Sequence, residues 1–279
     1  MVTVSTMARS SSSRDISFDT DFGPARIRWD GPRATLFLGE VESSAVDTSD
    51  PTYLEFEYMQ HMDAVVLSLW GPQDRFRALH VGGAACALAC AWSSSHPQSR
   101  HVAVEVDRLL AERVRELFPI PKAPQVKIRV GDGRIVLDGV REGSFDVIVR
   151  DAFASGVTPD HLRTVECADR ARRALTASGV YLVNCAHGGP ANARQDMAAL
   201  QEVFPFVASI QDPKVGRGGR RGNVVALASA ADVVDVDQVD RALRMLALPA
   251  RITRPADLVR WVAGTAALTD AQVGYPQAD

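Results

Sequence analysis

The chain has 279 residues, a formal net charge of −3 and a hydrophobic content of 46%. This length can bury a core without disulfide or metal staples, and a pI of about 6.1 argues against a general nucleic-acid binder. No stretch approaches the roughly 20 apolar residues of a membrane span, and 1–15 lacks the apolar run of a signal peptide. We expect a cytoplasmic protein that binds neither membranes nor nucleic acids, with a disordered N-terminus at 1–15.

Residues 16–50 are predicted to form a small antiparallel β unit. Two runs of alternating residues, 24–29 and 33–40, flank the pair Asp30-Gly31. An Asp-Gly pair between alternating runs is typical of a β-hairpin.

The body of the chain, 51–230, begins with a helix predicted over 53–69, where apolar residues recur every three to four positions. Strands and helices then alternate, which favours an α/β domain with a parallel sheet. The remaining residues, 231–279, are predicted to form a helical tail with helices over 236–248 and 255–263.

Several strands of the body end on glycine or on an acid. Because ligands of open parallel sheets bind beyond the carboxyl ends of the strands, we expect these residues to lie together at one edge. The strands that end in this way are predicted over 76–83, 101–107, 126–132 and 145–151. Two later strands are predicted over 179–185 and 222–229.

The first of these strands ends on Gly82 and Gly83, whose small size lets backbone amides approach a ligand. The turn does not match G-x-G-x-x-G, so a nicotinamide dinucleotide is disfavoured. Glu105 lies 23 residues after Gly82, close to the interval at which an acid meets a ribose diol. The alternative for Glu105 is a solvated acid at a strand end.

Two further acids have a functional and a structural interpretation. Asp132, in Gly131-Asp132-Gly133, can accept the exocyclic amine of an adenine, or it can simply form the turn that Gly-Asp-Gly favours. Asp151 can orient or deprotonate an acceptor amine, or it can serve as a loop or helix-capping acid.

Other candidates carry weaker signals. The glycine- and arginine-rich segment 215–222 suits a hairpin turn or a basic anion-binding loop. His61 is expected to be packed. His187 follows a strand that ends near the same edge of the sheet, from which it could reach the acceptor, but a structural role is favoured for it. Cys86 stands at a helix start, where a thiol pKa can be lowered, although such a cysteine is more often a small buried residue. The four cysteines and six histidines show no metal-binding spacing.

With these residues in place, the chain resembles the spermidine synthase (polyamine aminopropyltransferase) family, within the class I S-adenosylmethionine-dependent methyltransferase fold. The resemblance covers about 25–229 and matches Glu105, Asp132 and Asp151 position for position. It implies a Rossmann-like seven-stranded sheet with helices on both faces, preceded by the small antiparallel unit. It also implies a homodimer and a donor of the adenosylmethionine type.

The resemblance assigns a role to each candidate. Asp151 is the catalytic residue, and no metal is expected. The residues that hold the donor are Gly82, Gly83, Glu105, Asp132 and Gly133.

Several positions depart from the family. Ala85 stands where an acid holds the donor's amine, and Cys86 replaces the last glycine of the G-G-G-D-G turn. Ala154 replaces the second acid of D-x-x-D, which grips the diamine. The family's Tyr-Gln pair is loosely assigned to Glu55-Phe56.

The leading hypothesis is aminopropyl transfer from decarboxylated S-adenosylmethionine to a small polyamine-type acceptor. It requires an acidic pocket near Asp151, with Glu55, Glu57 or Asp63 in place of the missing acids. The alternatives are methyl transfer from intact S-adenosylmethionine, which requires a neutral or basic group near the donor carboxylate, and a non-catalytic nucleoside-binding homologue.

Overall fold

Two β-sheets organise the chain, which this computed structural model describes over residues 14–154, 156–215 and 220–276. A four-stranded antiparallel sheet precedes an eight-stranded mixed sheet that is flanked by helices. The predicted α/β class, with a small antiparallel unit before a Rossmann-like sheet, is confirmed.

The N-terminal sheet has its strands in chain order, and each neighbouring pair is antiparallel. Its strands are β1 (Arg14–Thr20), β2 (Gly23–Asp30), β3 (Arg33–Leu38) and β4 (Val41–Asp47). The predicted hairpin is β2–β3, and the two outer strands, β1 and β4, were not predicted. Arg14 and Asp15 belong to β1, so the predicted disorder of 1–15 is wrong for these two residues; 1–13 lie outside the described residues.

Helices pack on both faces of the large sheet. They are α1 (Glu57–Leu69), α2 (Ala87–Ser95), α3 (Arg108–Leu117), α4 (Gly133–Asp138), α5 (Val165–Ala174), α6 (Ala193–Val203), α7 (Val236–Arg244), α8 (Pro255–Val262) and α9 (Asp270–Val273). The first helix starts four residues later than predicted. Thr52 donates from both its amide and its hydroxyl to the Asp50 carboxylate at 3.0 and 2.6 Å, and such a local turn competes with a helix.

The large sheet has the order β12-β10-β11-β9-β8-β5-β6-β7. Its strands are β5 (Arg77–Val81), β6 (Arg100–Glu105), β7 (Val126–Val130), β8 (Phe145–Arg150), β9 (Leu175–His187), β10 (Phe206–Gln211), β11 (Gly222–Ser229) and β12 (Arg251–Thr253). The five strands from β7 to β9 are parallel, and the remaining pairs are antiparallel. The first seven strands match the predicted number, and the short β12 adds an eighth at the edge.

Six strands of this sheet, β5, β6 and β8 to β11, contribute to two cores, one on each face. In β5, Ala78 packs into the core shared with α1, α2 and the N-terminal sheet, while the adjacent Leu79 packs into the core shared with α5 and α6. Adjacent side chains of a strand point to opposite faces, so a strand buried on both faces reads as a continuous apolar run.

The tail is only partly helical, which corrects the prediction for 231–279. Its two predicted helices are present as α7 and α8, but β12 between them pairs with the edge strand β10. The final helix, α9, is anchored by a buried carboxylate. Asp270 accepts two hydrogen bonds from the Arg134 guanidinium, at 2.8 and 2.6 Å, and one from the Thr164 hydroxyl at 2.6 Å.

The glycine- and arginine-rich segment connects β10 and β11, which pair antiparallel as the hairpin interpretation requires. Its residues 216–219 lie outside the described residues. Within the described ranges, no helix is long and apolar enough to cross a membrane. Over the same ranges, no group of three or more His, Cys, Asp or Glu side chains is placed to hold a metal ion.

We expect Asp270→Ala to lower the free energy of unfolding by about 3 kcal/mol, because it leaves the buried Arg134 without its main counter-ion. The matched control is Asp257→Ala, which breaks an exposed pair with Arg260 and should cost less than about 1 kcal/mol. Urea unfolding measures both. Equal losses for the two variants would contradict the anchoring role of Asp270.

Candidate functional site

The strand ends that were predicted to carry the site lie side by side. The Gly82 amide donates to the Val104 carbonyl at 3.1 Å, which joins the ends of β5 and β6. On the other side, the Asp151 amide donates to the Val81 carbonyl at 2.8 Å, which joins β5 to the end of β8. The glycine turn is therefore held between the two acids Glu105 and Asp151.

Gly82 has a packing reason to be glycine that is independent of any ligand. Its φ is +95°, a left-handed conformation. A Cβ built on it would lie 2.1 Å from the backbone oxygen of Asp151, a separation that no side chain can occupy. Only glycine lets β5 turn this close to β8.

The rest of the turn keeps an unusual backbone although it has lost glycines. Ala84 and Cys86 have φ values of +36° and +58°, both in the left-handed region. These are positions at which the G-G-G-D-G pattern places glycine. Non-glycine residues in this conformation cost of order 1 kcal/mol each, so the surrounding structure must hold the turn in place.

Glu105 supplies part of that support. Its carboxylate accepts hydrogen bonds from the Ala84 amide at 2.9 Å and from the Asp107 amide at 3.1 Å. Burial raises the pKa of Glu105 above its ordinary value. A carboxylate has about four lone-pair sites, so these bonds tie the turn to β6 and leave acceptor capacity for a ligand hydroxyl.

Asp132 caps the helix that follows it. One carboxylate oxygen accepts from the amides of Arg134 and Ile135 at 2.8 and 3.0 Å, which satisfies the start of α4. The other oxygen lies 3.0 Å from Nε2 of His161. Asp132 therefore caps α4 through one oxygen, and its other oxygen, which we call the outer oxygen, contacts His161.

His161, the partner of Asp132, was not predicted from the sequence, and neither was the contact that His161 makes in turn. His161 stacks on Tyr275, with ring centroids 5.6 Å apart and planes 7° from parallel. Tyr275 comes from the C-terminal segment and is far from Asp132 in sequence, so no local pattern signals the contact. Gly133 is required on packing grounds, because a Cβ there would lie 2.4 Å from the Val81 side chain.

Asp151 carries a partly buried carboxylate that is held by two side chains. The Tyr58 hydroxyl donates to one oxygen at 2.7 Å, and the Asn184 amide donates to the other at 2.9 Å. Burial raises the pKa of Asp151, and burial beside this carboxylate raises the pKa of Tyr58. The site therefore combines residues of α1 and β9 with the acid that follows β8.

The tyrosine corrects the loose assignment of the Tyr-Gln pair to Glu55-Phe56. From this region it is Tyr58, the second residue of α1, that reaches Asp151. The next residue is Met59, which cannot form the polar contacts of a glutamine.

A cavity of about 340 Å³ opens beside Asp151, and we call it the inner cavity. Its walls come from the sheet edge, from the start of α1 and from the N-terminal sheet. Residues that line it include Asp151, Asn184, Tyr58, Phe56, Glu42 and Ser43. Among its described lining residues, Asp151 and Glu42 are the charged ones, so the wall is acidic.

A second cavity of about 330 Å³ adjoins the first, and we call it the outer cavity. It shares four lining residues with the inner cavity, namely Glu42, Phe56, Tyr58 and Asn223. Its further lining residues include Glu55, Glu57, His61, Asp212, Arg220 and Arg221. Two of the acids proposed to replace the missing ones, Glu55 and Glu57, are therefore in reach of this cavity. The third, Asp63, instead accepts from the Trp92 indole at 2.9 Å.

The space beneath the glycine turn is much smaller. It measures about 20 Å³ and is bounded by Gly82, Gly83, Met59, Cys86 and Asp151 among others, which is room for about one water molecule. Burial raises the pKa of the Cys86 thiol, so this residue is a small buried side chain and not an activated nucleophile.

The remaining candidates lie where packing explains them. Ala154 forms a short bridge with Val157 and offers no charge. His187 packs against Trp261 of α8, with ring centroids 5.2 Å apart. His61 is buried, as predicted, and burial lowers its pKa to about 4.

Comparison with known proteins gives the following matches. No protein-family model matches the chain. The structure is similar to a probable spermidine synthase from Corynebacterium glutamicum ATCC 13032, with 32% identity, a TM-score of 0.84, and coverage of 91% of this chain and 95% of that one. A spermidine synthase from Thermotoga maritima shares the fold at 18% identity, with a TM-score of 0.57 and coverage of 94% and 87%.

A polyamine aminopropyltransferase from Vibrio vulnificus (strain CMCP6) is 26% identical over 118 residues. The match spans 42% of this chain and 39% of that protein, so it covers well under half of either.

We expect Gly82→Ala to lower the free energy of unfolding by about 3 kcal/mol or more, because the new Cβ would overlap the Asp151 carbonyl. The matched control is Gly143→Ala. Gly143 also has a positive φ, +63°, but a Cβ there meets nothing within 4 Å, so only backbone strain of about 1 kcal/mol is expected. Urea unfolding compares the two, and a similar loss in both would show that the close approach is not the cause.

Proposed function

Because the chain belongs to the spermidine synthase family, we propose that it transfers an aminopropyl group from decarboxylated S-adenosylmethionine to an amine acceptor. The observation that carries the proposal is the Asp151 carboxylate, held between Tyr58 and Asn184 at the wall of an acidic cavity. A cationic amine is the ligand that such a wall attracts, and a partly buried carboxylate beside it can hold its proton.

We propose that the donor nucleoside lies along the strand ends. Glu105 would accept the ribose hydroxyls, and the outer oxygen of Asp132 would accept the adenine amine in place of His161. Apolar side chains are exposed around these acids, which suits the faces of an adenine ring. They are Val106, Val130 and Ile135, with 51%, 47% and 66% of their surface exposed.

The chemical step is a nucleophilic displacement. The acceptor nitrogen attacks the carbon of the aminopropyl chain that is bonded to the sulfonium sulfur. The new C–N bond forms while the bond between this carbon and sulfur breaks, and the electron pair of the broken bond stays on sulfur. The products are the alkylated amine and methylthioadenosine. The nitrogen must lose one proton, which Asp151 accepts. Since the sulfonium is already a good leaving group, the protein mainly aligns the reactants, which can contribute several kcal/mol.

The division of the chain follows from this assignment. We propose that 51–230 forms the catalytic domain, that 16–50 covers its acceptor side, and that 231–279 closes the sheet edge. The resemblance also implies a homodimer, and both this assembly and a cytoplasmic location remain predictions.

Calorimetric titration with decarboxylated S-adenosylmethionine, intact S-adenosylmethionine and methylthioadenosine tests the donor. We expect preference for the decarboxylated form. Asp132→Asn should weaken binding about tenfold, because asparagine keeps the helix cap but turns an amide N–H donor toward the donor N–H of the adenine amine. The control Asp235→Asn changes the cap of α7, away from the site, and should bind as the wild type does. Preference for the intact donor would favour methyl transfer, and binding of none of the three would favour a non-catalytic homologue.

We expect Asp151→Asn to lower kcat at least 100-fold by removing the proton acceptor. Because burial raises the pKa of Asp151, its protonated carboxyl group stabilises the folded state. This contribution is fully present below the unfolded pKa and is lost as the pH rises through the folded pKa. The variant should therefore melt at the same temperature as the wild type or higher at pH 8. In the wild type, kcat should fall on acidification at a pH above the ordinary aspartate pKa of about 3.9. Wild-type kcat in the variant would rule out the assigned role.

A further inference from the structure

The inner and outer cavities adjoin each other, and we call the two together the trough. They share Glu42, Phe56, Tyr58 and Asn223, so a ligand that leaves Asp151 along the inner cavity passes these residues into the outer one. Each cavity is in the size range of a small-molecule site. A diamine bound at Asp151 would not need the second cavity.

One residue that lines each cavity carries a deeply buried polar atom with no hydrogen-bond partner in the described part of the chain. In the inner cavity it is Oδ1 of Asn184, whose other amide atom is bound to Asp151. In the outer cavity it is Nδ1 of His61. Both residues are nearly inaccessible, with 2% and 3% of their surface exposed. A buried polar atom without a partner is costly. Because each residue lines its cavity, an amine bound there can supply the N–H group that these atoms lack.

The charged residues along the trough favour a cation. The inner cavity is lined by the acid Glu42 as well as by Asp151. In the outer cavity, four acids outnumber two arginines among the described lining residues, and one of those arginines, Arg220, is already 3.4 Å from Asp212. Burial lowers the pKa of His61 to about 4, so its imidazole is neutral near pH 7 and can accept a hydrogen bond.

An irregularity in β4 places Glu42 at the junction. Leu36 pairs with Ser44 and Phe37 with Glu42, so Ser43 is left over as a β-bulge. A bulge bends its strand and re-aims the neighbouring side chains, and such features often lie beside active sites. Here consecutive residues around the bulge, Glu42 and Ser43, line the inner cavity.

We infer that the acceptor is a linear polyamine with at least three amines, and that Glu42 determines this specificity from the N-terminal sheet. The reacting amine lies at Asp151 and the unpartnered Asn184 oxygen. The second amine meets Glu42, which takes over from the acid lost at Ala154, and the third lies in the outer cavity at His61. This inference rests on the proposed aminopropyl transfer and refines its acceptor.

The test is steady-state kinetics with decarboxylated S-adenosylmethionine and two acceptors, butane-1,4-diamine and the triamine spermidine. For the wild type we expect kcat/KM to be at least tenfold higher with the triamine. Glu42→Gln should raise the triamine KM about fivefold at nearly unchanged kcat, as loss of one partly exposed ion pair predicts. Glu40→Gln is the matched control, since Glu40 is an exposed acid of the same hairpin and should keep both constants.

His61→Leu tests the outer cavity separately. Its imidazole has an unpartnered nitrogen, so an apolar side chain of similar size should not weaken the fold. We expect the ratio of triamine to diamine kcat/KM to fall at least threefold, and a thermal melt checks that the variant is folded.

The outcomes separate the two proposals. Transfer to both amines with equal kcat/KM, or a wild-type triamine KM in Glu42→Gln, overturns the inference and leaves aminopropyl transfer in place. Transfer to neither amine overturns the proposed function, and the inference falls with it.

Discussion

The close approach of two strand ends governs the site. At Gly82 the chain turns against the backbone of Asp151 at a distance that excludes even a Cβ. The Asp151 amide donates to the Val81 carbonyl, and this hydrogen bond fixes the path of the chain where it leaves β8. The hydrogen bonds of a parallel sheet fix where neighbouring strands end relative to one another. The contact between Gly82 and Asp151 therefore gives the Asp151 carboxylate a defined position.

The position of Asp151 then couples three parts of the molecule. Tyr58 brings the start of α1 to the carboxylate, and Asn184 brings β9. Immediately before Asp151, the buried Arg150 pairs with Asp196 of α6 at 2.7 Å. Removing either partner of such a buried pair leaves an uncompensated charge, so this part of the sheet resists rearrangement. The carboxylate is thus presented to the inner cavity by a rigid frame, which is what alignment of two reactants requires.

The departures from the family are concentrated where the turn and the acceptor meet. Ala84 and Cys86 keep the left-handed backbone of the glycines they replace, because Glu105 and the strand ends hold the turn. The charge lost at Ala154 is offset from outside the large sheet, by Glu42 on a bulged strand of the N-terminal unit. An acid is thus lost in the large sheet and another acid is supplied by the N-terminal sheet, so the fold can be kept while the acceptor changes.

The sequence by itself determined the α/β class, the order of the strands that end on Gly82, Glu105, Asp132 and Asp151, and the hairpin before them. These features depend on local periodicity and on which residues follow a strand, and both are visible in a single chain. Tertiary structure alone decided the rest. Tyr58 and Asn184 are 93 and 33 positions from Asp151, and Tyr275 is far from His161. The missed outer strands β1 and β4 and the edge strand β12 exist because a neighbouring strand offers free hydrogen-bonding groups, and the role of Glu42 depends on a register shift. No local pattern encodes contacts of this kind, because they form only when separate elements pack together.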